Sequence, residues 1–147
     1  MATGDIVVFE EAMAYMFDGG WESTDDIKVA VLDNTTTPTA GDTTPALADY
    51  TEVGTAGSYT AGGISIGTWG NLITEASGIV TFDSATNPSW SVNASNDTDA
   101  YWGIAYNDTQ AGDPCFAYIE LGGPVDMSSI PLTITWPVTG LFTITKA

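Results

Sequence analysis

Carboxylates are the side chains through which this chain could do most of its chemistry. Its 147 residues include 19 Asp and Glu, two lysines (Lys28 and Lys146), and no histidine or arginine. A glycoside-cleaving enzyme needs two carboxyl groups roughly 5 to 9.5 Å apart, one of them with a raised pKa. No local motif singles out such a pair, because most of the acids fall in predicted turns or on a predicted helix. We therefore interpret the acids as solvated charges and expect no catalytic residues.

A short acidic loop is the second arrangement with chemical potential. The segment Asn96-Asp97-Thr98-Asp99 offers the oxygen ligands that Ca²⁺ prefers, but it lacks the alternating pattern, central glycine and closing Glu of an EF-hand loop. An Asx-rich turn before a strand at Ala100 is the favoured interpretation, and Ca²⁺ binding near Asp97 and Asp99 stays open. One cysteine and no histidine leave too few ligands for zinc, iron or copper. We expect no metal and no other cofactor.

The missing side chains exclude further classes of function. Proton transfer near neutral pH most often uses histidine, and a serine triad needs such a base. Nucleic-acid binding needs clustered Lys and Arg, which a chain of net charge −17 with two lysines does not have. No apolar stretch approaches the roughly 18 residues of a membrane span, and no basic secretory signal is present. We expect a non-enzymatic, soluble acidic protein that binds neither nucleic acid nor membranes and suits a basic surface on a partner.

Near the N-terminus, apolar residues recur at the spacing of one helix face. They are Phe9, Ala12, Met13, Met16 and Phe17. This spacing predicts an amphipathic helix over about residues 7–18. Trp21 and Tyr15 lie near the end of this helix, and buried Trp and Tyr are typical hot-spot residues at interfaces. The candidate partner-contact residues are therefore Phe9, Met13, Met16, Phe17 and Trp21, although the same stripe could instead close the core.

After the helix, alternating apolar residues and turn clusters predict strands from about residue 27 to residue 145. The predicted strands are 27–32, 78–82, 90–94, 100–107, 115–121, 132–136 and 141–145, with a loop leading into a strand within 54–70 and a hairpin through 137–140. Turn signals about 10 to 15 residues apart, with no helical pattern between them, favour an antiparallel β-sandwich. We expect a mainly β fold, jelly-roll or Ig-like, in one domain spanning 1–147.

Aromatic residues and the single cysteine supply the predicted core. Trp69, Trp90, Trp102 and Trp136 are expected to be buried. Cys115 stands in an apolar run and is expected to act as a small buried hydrophobe. Any Trp or Tyr exposed in the 54–70 loop would instead be suited to stacking on sugars.

Two short motifs stand out along the chain, Tyr59-Thr60-Ala61-Gly62-Gly63 and Tyr106-Asn107-Asp108-Thr109. They occur in a succession that begins with the predicted helix and includes 26–32, 48–53, 117–123, 132–136 and 140–144. From about residue 8 to 145 this order resembles a family of small virion structural proteins of tailed bacteriophages and prophages. Members often carry an Arg-Tyr pair where this chain has Tyr101-Trp102, which leaves any arginine-dependent contact unsupported here.

The resemblance implies a virion component built as a β-sandwich, with no catalytic residues. On this basis we expect a capsid decoration or cement protein on the outer head surface, made in the host cytoplasm. Its expected partners are the major capsid protein or other virion proteins, and it is expected to be a homo-oligomer on the particle. The alternative is a tail, fibre or spike component that recognises host-surface glycans.

Overall fold

A computed structural model describes residues 4–18 and 20–146 of the chain. The described chain is mainly β, and every strand pairing in it is antiparallel. In chain order the elements are β1 (Ile6–Val8), α1 (Ala12–Phe17), β2 (Asp26–Leu32), β3 (Ile64–Thr68), α2 (Trp69–Leu72), β4 (Ile73–Ala76), β5 (Ile79–Phe82), β6 (Ser89–Trp90), β7 (Ala100–Asn107), β8 (Cys115–Val125), β9 (Leu132–Thr133) and β10 (Phe142–Thr145), with a single 3₁₀ turn at Leu47–Asp49.

A five-stranded sheet in the order β1-β8-β7-β2-β3 forms the centre of the molecule. Its middle strands are apolar along almost their whole length, and both of their faces are buried, as in β7 and the second half of β2. On one face Ile134 packs so closely that a Cβ atom on Gly103 would lie 2.6 Å from its Cδ1. At the edge of β2 beyond the end of β3, the Tyr59 hydroxyl accepts a hydrogen bond of 3.1 Å from the Val31 N–H.

A smaller sheet, in the order β10-β5-β4, is attached to the central sheet through aromatic side chains. Phe82 and Phe142 stack at 4.1 Å between ring centroids, and Trp69 lies 5.2 Å from Phe82. Trp69 also meets Phe116 of β8 edge-on at 5.8 Å. Offset and edge-to-face contacts of this kind are the favoured arrangements of aromatic rings. They connect the base of the small sheet to the central one.

The N-terminal helix differs from the prediction. Residues 6–8 form a strand whose residues pair with 117–119 of β8, and the helix begins only at Ala12. The Phe9 N–H donates to the Phe116 carbonyl and the Glu10 N–H to the Ala40 carbonyl, so neither backbone group is available to a helix. The run Ile6-Val7-Val8 is the sequence signal for this strand, because β-branched residues favour extended backbone.

The predicted C-terminal hairpin is also wrong. Instead of pairing with each other, β9 pairs with β6 and β10 pairs with β5. The predicted strands 90–94 and 132–136 are correspondingly short, since only Ser89–Trp90 and Leu132–Thr133 are paired. The turn at 137–140 therefore connects two different sheets.

The predicted core is largely confirmed. Trp69, Trp90 and Trp102 are buried, and Cys115 is 0% exposed. Trp136 is half-buried and donates its indole N–H to the Thr86 carbonyl at 3.0 Å. Within 54–70 the chain does run through a loop into a strand, β3.

Candidate functional site

The five predicted contact residues fall into different environments. Phe9 is 0% exposed, with its ring 5.0 Å from Tyr118 and 6.4 Å from Tyr50. A fully buried ring presents no surface to a partner, so Phe9 belongs to the core and its assignment as a contact residue is corrected.

The other four residues lie in or just after α1, which packs against β8. Met13, Met16 and Trp21 are half-buried, and Met16 and Trp21 pack against the core. The Trp21 ring meets Trp69 edge-on at 4.7 Å. Phe17, by contrast, is 68% exposed. Phe17 is therefore the residue of the predicted set that offers a large apolar surface to another molecule.

A groove opens beside the C-terminal end of α1, with a volume of about 460 Å³. It is lined by Tyr15, Asp18, Gly20, Trp21, Thr44, Pro45, Ala46, Gln110, Ala111, Gly112 and Pro114. Its walls thus come from α1, from the loop before the 3₁₀ turn and from the β7–β8 turn. We call it the α1 groove.

Tyr15 is held in the wall of the α1 groove by a local network. Its hydroxyl donates to the Glu11 carboxylate at 3.2 Å, and Glu11 Oε2 also accepts the Thr44 N–H at 2.8 Å. Burial and the neighbouring Glu11 carboxylate raise the pKa of the Tyr15 phenol. The ring is therefore neutral and fixed between the helix and the loop.

The opposite wall is positioned by Asn107, a fully buried amide at the end of β7. Its Oδ1 accepts the N–H groups of Thr109 and Gln110, at 3.0 and 3.2 Å, which closes the turn after the strand. This is the capping that Asn side chains commonly give to turns. The Tyr106-Asn107-Asp108-Thr109 motif thus shapes the groove.

Asp25 joins this turn to the region of Trp21. The carboxylate is 2% exposed and accepts hydrogen bonds from Asn107 Nδ2 at 2.7 Å, Gln110 Nε2 at 2.9 Å and the Glu22 N–H at 3.0 Å. Burial opposes the charged form, but these three donors outweigh it and hold the pKa of Asp25 below its usual value. Sequence reasoning missed Asp25 because its side-chain donors are 82 and 85 residues away in the chain.

The chemistry of the α1 groove suits a positively charged side chain. Tyr15 and Trp21 supply aromatic surface, Asp18 supplies an exposed carboxylate and Gln110 an amide. No Lys or Arg lies among the described residues that line it. A lysine or arginine side chain can stack on such rings and pair with such a carboxylate.

The 96–99 loop is organised by its own hydrogen bonds. Asn96 is buried; its Nδ2 donates to the carbonyls of Ser91 and Met127, both at 3.0 Å, and its Oδ1 accepts the Ser58 N–H at 2.6 Å. A hydrogen bond between Asp97 and Asp99 raises the pKa of Asp99, while the Gly54 N–H and the same bond lower that of Asp97. Within 4–18 and 20–146 no cluster of three or more His, Cys, Asp or Glu residues suits a metal ion.

The 54–70 loop does not expose aromatic rings for stacking on sugars. Tyr59 is 2% and Trp69 is 6% exposed, so neither ring is available to stack on a sugar. Instead, the Tyr59 hydroxyl donates to the Glu52 carboxylate, and Glu52 also accepts the Gly62 N–H at 2.8 Å. This motif therefore stabilises the loop against β2.

None of the helices in the described part of the chain is long and apolar enough to cross a membrane.

No protein-family model, curated protein or solved structure matches this chain.

Proposed function

We propose that this chain is a non-enzymatic structural protein of a tailed-bacteriophage particle that binds the outer surface of the head as a decoration or cement protein. The α1 groove, together with the exposed Phe17 on the same helix, is the observation that carries the proposal. An aromatic and acidic recess in a molecule of net charge −17 suits a basic segment of the major capsid protein or another virion protein.

Binding of many acidic copies to the head would have two physical effects on the particle. Proteins that bind only the assembled shell stabilise it by mass action, even when each contact is modest. Negative charge facing outward also keeps particles apart in solution. A small acidic domain with one anchoring groove meets both requirements.

The family resemblance supports the same proposal, because its two marker motifs both have structural roles. The Tyr59 hydroxyl and the Gly62 N–H donate hydrogen bonds to the Glu52 carboxylate. The Tyr106 hydroxyl donates one to the Gly62 carbonyl. We further propose that the five-stranded and three-stranded sheets, stacked through Trp69, Phe82 and Phe116, form an incomplete β-sandwich of the type expected for this family.

The first test is quantitative mass spectrometry of purified particles. A copy number equal to that of the major shell protein, or a simple fraction of it, is expected for a decoration protein. Absence from the particle would remove the virion proposal altogether.

The second test addresses the groove itself, with purified chain added to particles that lack it. Asp18→Lys and Trp21→Ala are expected to lower occupancy several-fold, because each removes one feature of the groove. Glu10→Lys is the matched control, since Glu10 is exposed, lies outside the groove lining and changes the net charge as Asp18→Lys does. Equal losses in Asp18→Lys and Glu10→Lys would reduce the interaction to net charge and contradict a specific groove.

A tail, fibre or spike protein that binds host glycans is the second candidate. One observation favours it: Tyr15 and Trp21 present rings in an open groove, beside the polar Asp18 and Gln110, where a sugar could stack. A handful of copies per particle, with groove variants that lose adsorption to cells, would support this candidate over head decoration.

A further inference from the structure

The three-stranded sheet carries little charge for so acidic a chain. Of the 19 acids in the chain, none lies after Asp126, and β5 and β10 contain none. The sheet itself carries Glu75 on β4, with Asp83 just after β5 and Lys146 just after β10. Two copies of a chain with net charge −17 repel each other least when such surfaces meet.

Among the described residues, no strand pairs with the outer edge of β10, because in the sheet order β10-β5-β4 this strand has β5 on one side only. A groove of about 430 Å³, lined by 4–7 and 139–143, lies beside the start of this strand. The Lys146 N–H donates to the Gly78 carbonyl at 2.9 Å, so Lys146 and Gly78 are a hydrogen-bonded pair of the antiparallel ladder. By alternation, Phe142 and Ile144 bond to β5, while Thr143 and Thr145 direct their N–H and C=O groups outward.

The edge of β10 carries little of the usual protection against pairing: the strand is short and Lys146 follows it, but within Phe142–Thr145 there is no charge. Natural edge strands are commonly blunted by charges, proline or bulges. The sequence Phe-Thr-Ile-Thr has no charge or proline, its pairing with β5 is regular, and Thr and Ile favour extended backbone. On β4, by contrast, Glu75 places a charge at the other edge.

The exposed face of this sheet extends the same pattern. Thr143 lies opposite Thr81, which lies opposite Thr74, so three threonines form one row across the strands. Thr145 lies opposite Ile79, which is 40% exposed. This face is rich in β-branched residues and uncharged up to the β10 edge.

We propose that two copies of this chain associate by pairing their β10 strands antiparallel about a two-fold axis. In this register Thr143 faces the second copy's Thr145, and Ile144 faces the second copy's Ile144. Each Thr–Thr pair exchanges both of its backbone hydrogen bonds, because these residues carry the outward-facing groups. The pairing uses the same surface on both copies and closes, so it gives a dimer.

Sedimentation velocity over a range of concentrations, at low and high salt, tests the proposal. The wild type is expected to reach twice the 15.3 kDa mass of one chain as its concentration rises. Added salt is expected to strengthen the dimer, because it screens the repulsion between two acidic molecules. A monomer at every concentration and salt level would overturn the proposal.

Paired charge variants test the register. In Thr143→Lys/Thr145→Lys, lysine faces lysine twice across the axis, which is expected to weaken the dimer by at least about tenfold. In Thr143→Glu/Thr145→Lys, opposite charges face each other and the dimer is expected to persist. Both residues are exposed edge positions, so thermal melts are expected to show folded variants.

Thr74→Lys/Ala76→Lys on β4 is the matched control, because it adds the same charge to the other edge of the same sheet. Both double-lysine variants make the net charge less negative, which by itself favours association. Loss of the dimer only in the β10 variant would therefore support edge pairing. Loss in the β4 variant, or an unaffected β10 double-lysine variant, would overturn it. Because no particle is involved, these results are separate from those that test head binding.

Discussion

The Tyr106 hydroxyl donates a hydrogen bond of 2.8 Å to the Gly62 carbonyl oxygen. This contact joins the two motifs on which the family resemblance mainly depends, although they lie 44 residues apart. The loop can approach β2 only because Gly62 and Gly63 have φ of +83° and +72°, which side chains disfavour. A Cβ atom on Gly63 would lie 1.9 Å from the Val29 carbonyl oxygen.

Gly63→Ala is therefore expected to destabilise the protein by about 3 kcal/mol or more, through the clash with β2 and the strained φ. Gly41→Ala is the control, because a Cβ there meets open space. Urea denaturation followed by Trp fluorescence measures both. Equal stability of the two variants would contradict the close approach of the loop to β2.

Replacing the buried carboxylate Asp25 should give a pH-dependent loss of stability. Its pKa is lower in the folded than in the unfolded state, so its contribution is present above the unfolded-state pKa and is lost as pH falls through the folded-state pKa. Asp25→Asn is expected to cost about 2–3 kcal/mol at neutral pH, since charged hydrogen bonds are lost. The deficit should shrink in acid. A deficit that does not change with pH would assign Asp25 a purely steric role.

Replacing Asp99 should change the free energy of unfolding in the opposite direction to replacing Asp25. The hydrogen bond to Asp97, followed by burial and the charge of Asp97, raises the pKa of Asp99. The folded state then holds the proton more tightly, so the contribution of Asp99 is present below the unfolded-state pKa and is lost as pH rises through the folded-state pKa. An asparagine keeps a neutral donor toward Asp97, so we expect higher stability at neutral pH and no gain in acid. Denaturation midpoints of the wild type and Asp99→Asn, measured from acid to neutral pH, would show this difference. A loss of stability in Asp99→Asn at neutral pH would contradict the prediction.

Phe9 and Phe17 should separate core packing from partner contact. Phe9→Ala is expected to cost about 3–5 kcal/mol, because it empties a fully buried site. Phe17→Ala is expected to change stability by less than about 0.5 kcal/mol, since the ring is largely exposed. If the proposed function holds, Phe17→Ala should instead reduce occupancy on particles. A stable Phe17→Ala variant with unchanged occupancy would remove Phe17 from the contact.

Asn96→Ala should destabilise the 96–99 loop, which precedes β7. The change leaves the carbonyls of Ser91 and Met127 without their amide donor, at an expected cost on the order of 2–3 kcal/mol. Asn71→Ala, at an exposed position, is the control. Similar midpoints for the two variants in thermal melts would contradict the connecting role of Asn96.

Sequence reasoning succeeded where local signals were strong and failed where pairing was non-local. The strand predicted at 100–107 is the observed β7, because a continuous apolar run ends at Asn107, which turns the chain. The spacing from Phe9 to Phe17 could not distinguish one helix from a strand followed by a shorter helix, since Phe9 and Ala12 are buried in either case. The partners of β9 and β10 lie more than 40 residues earlier, and no local pattern encodes that choice.

The candidate site was predictable in part for the same reason. Phe17 and Trp21 were predicted from their apolar or aromatic character; Phe17 is the last residue of α1, and Trp21 follows the helix with its ring 4.7 Å from Trp69. The wall formed by 110–112 and the buried Asp25 were not, because three distant segments meet there. Identifying such a groove from sequence would require knowing the tertiary arrangement first.

Cys115 is fully buried, and burial holds the pKa of its thiol well above the usual value. A thiol-specific reagent can therefore reach it only when the central sheet opens around β8. The rate of labelling then measures how often this molecule opens under native conditions, without any added probe. Because Cys115 is buried, concentrated folded protein stored in air is expected to form no disulfide cross-links between copies.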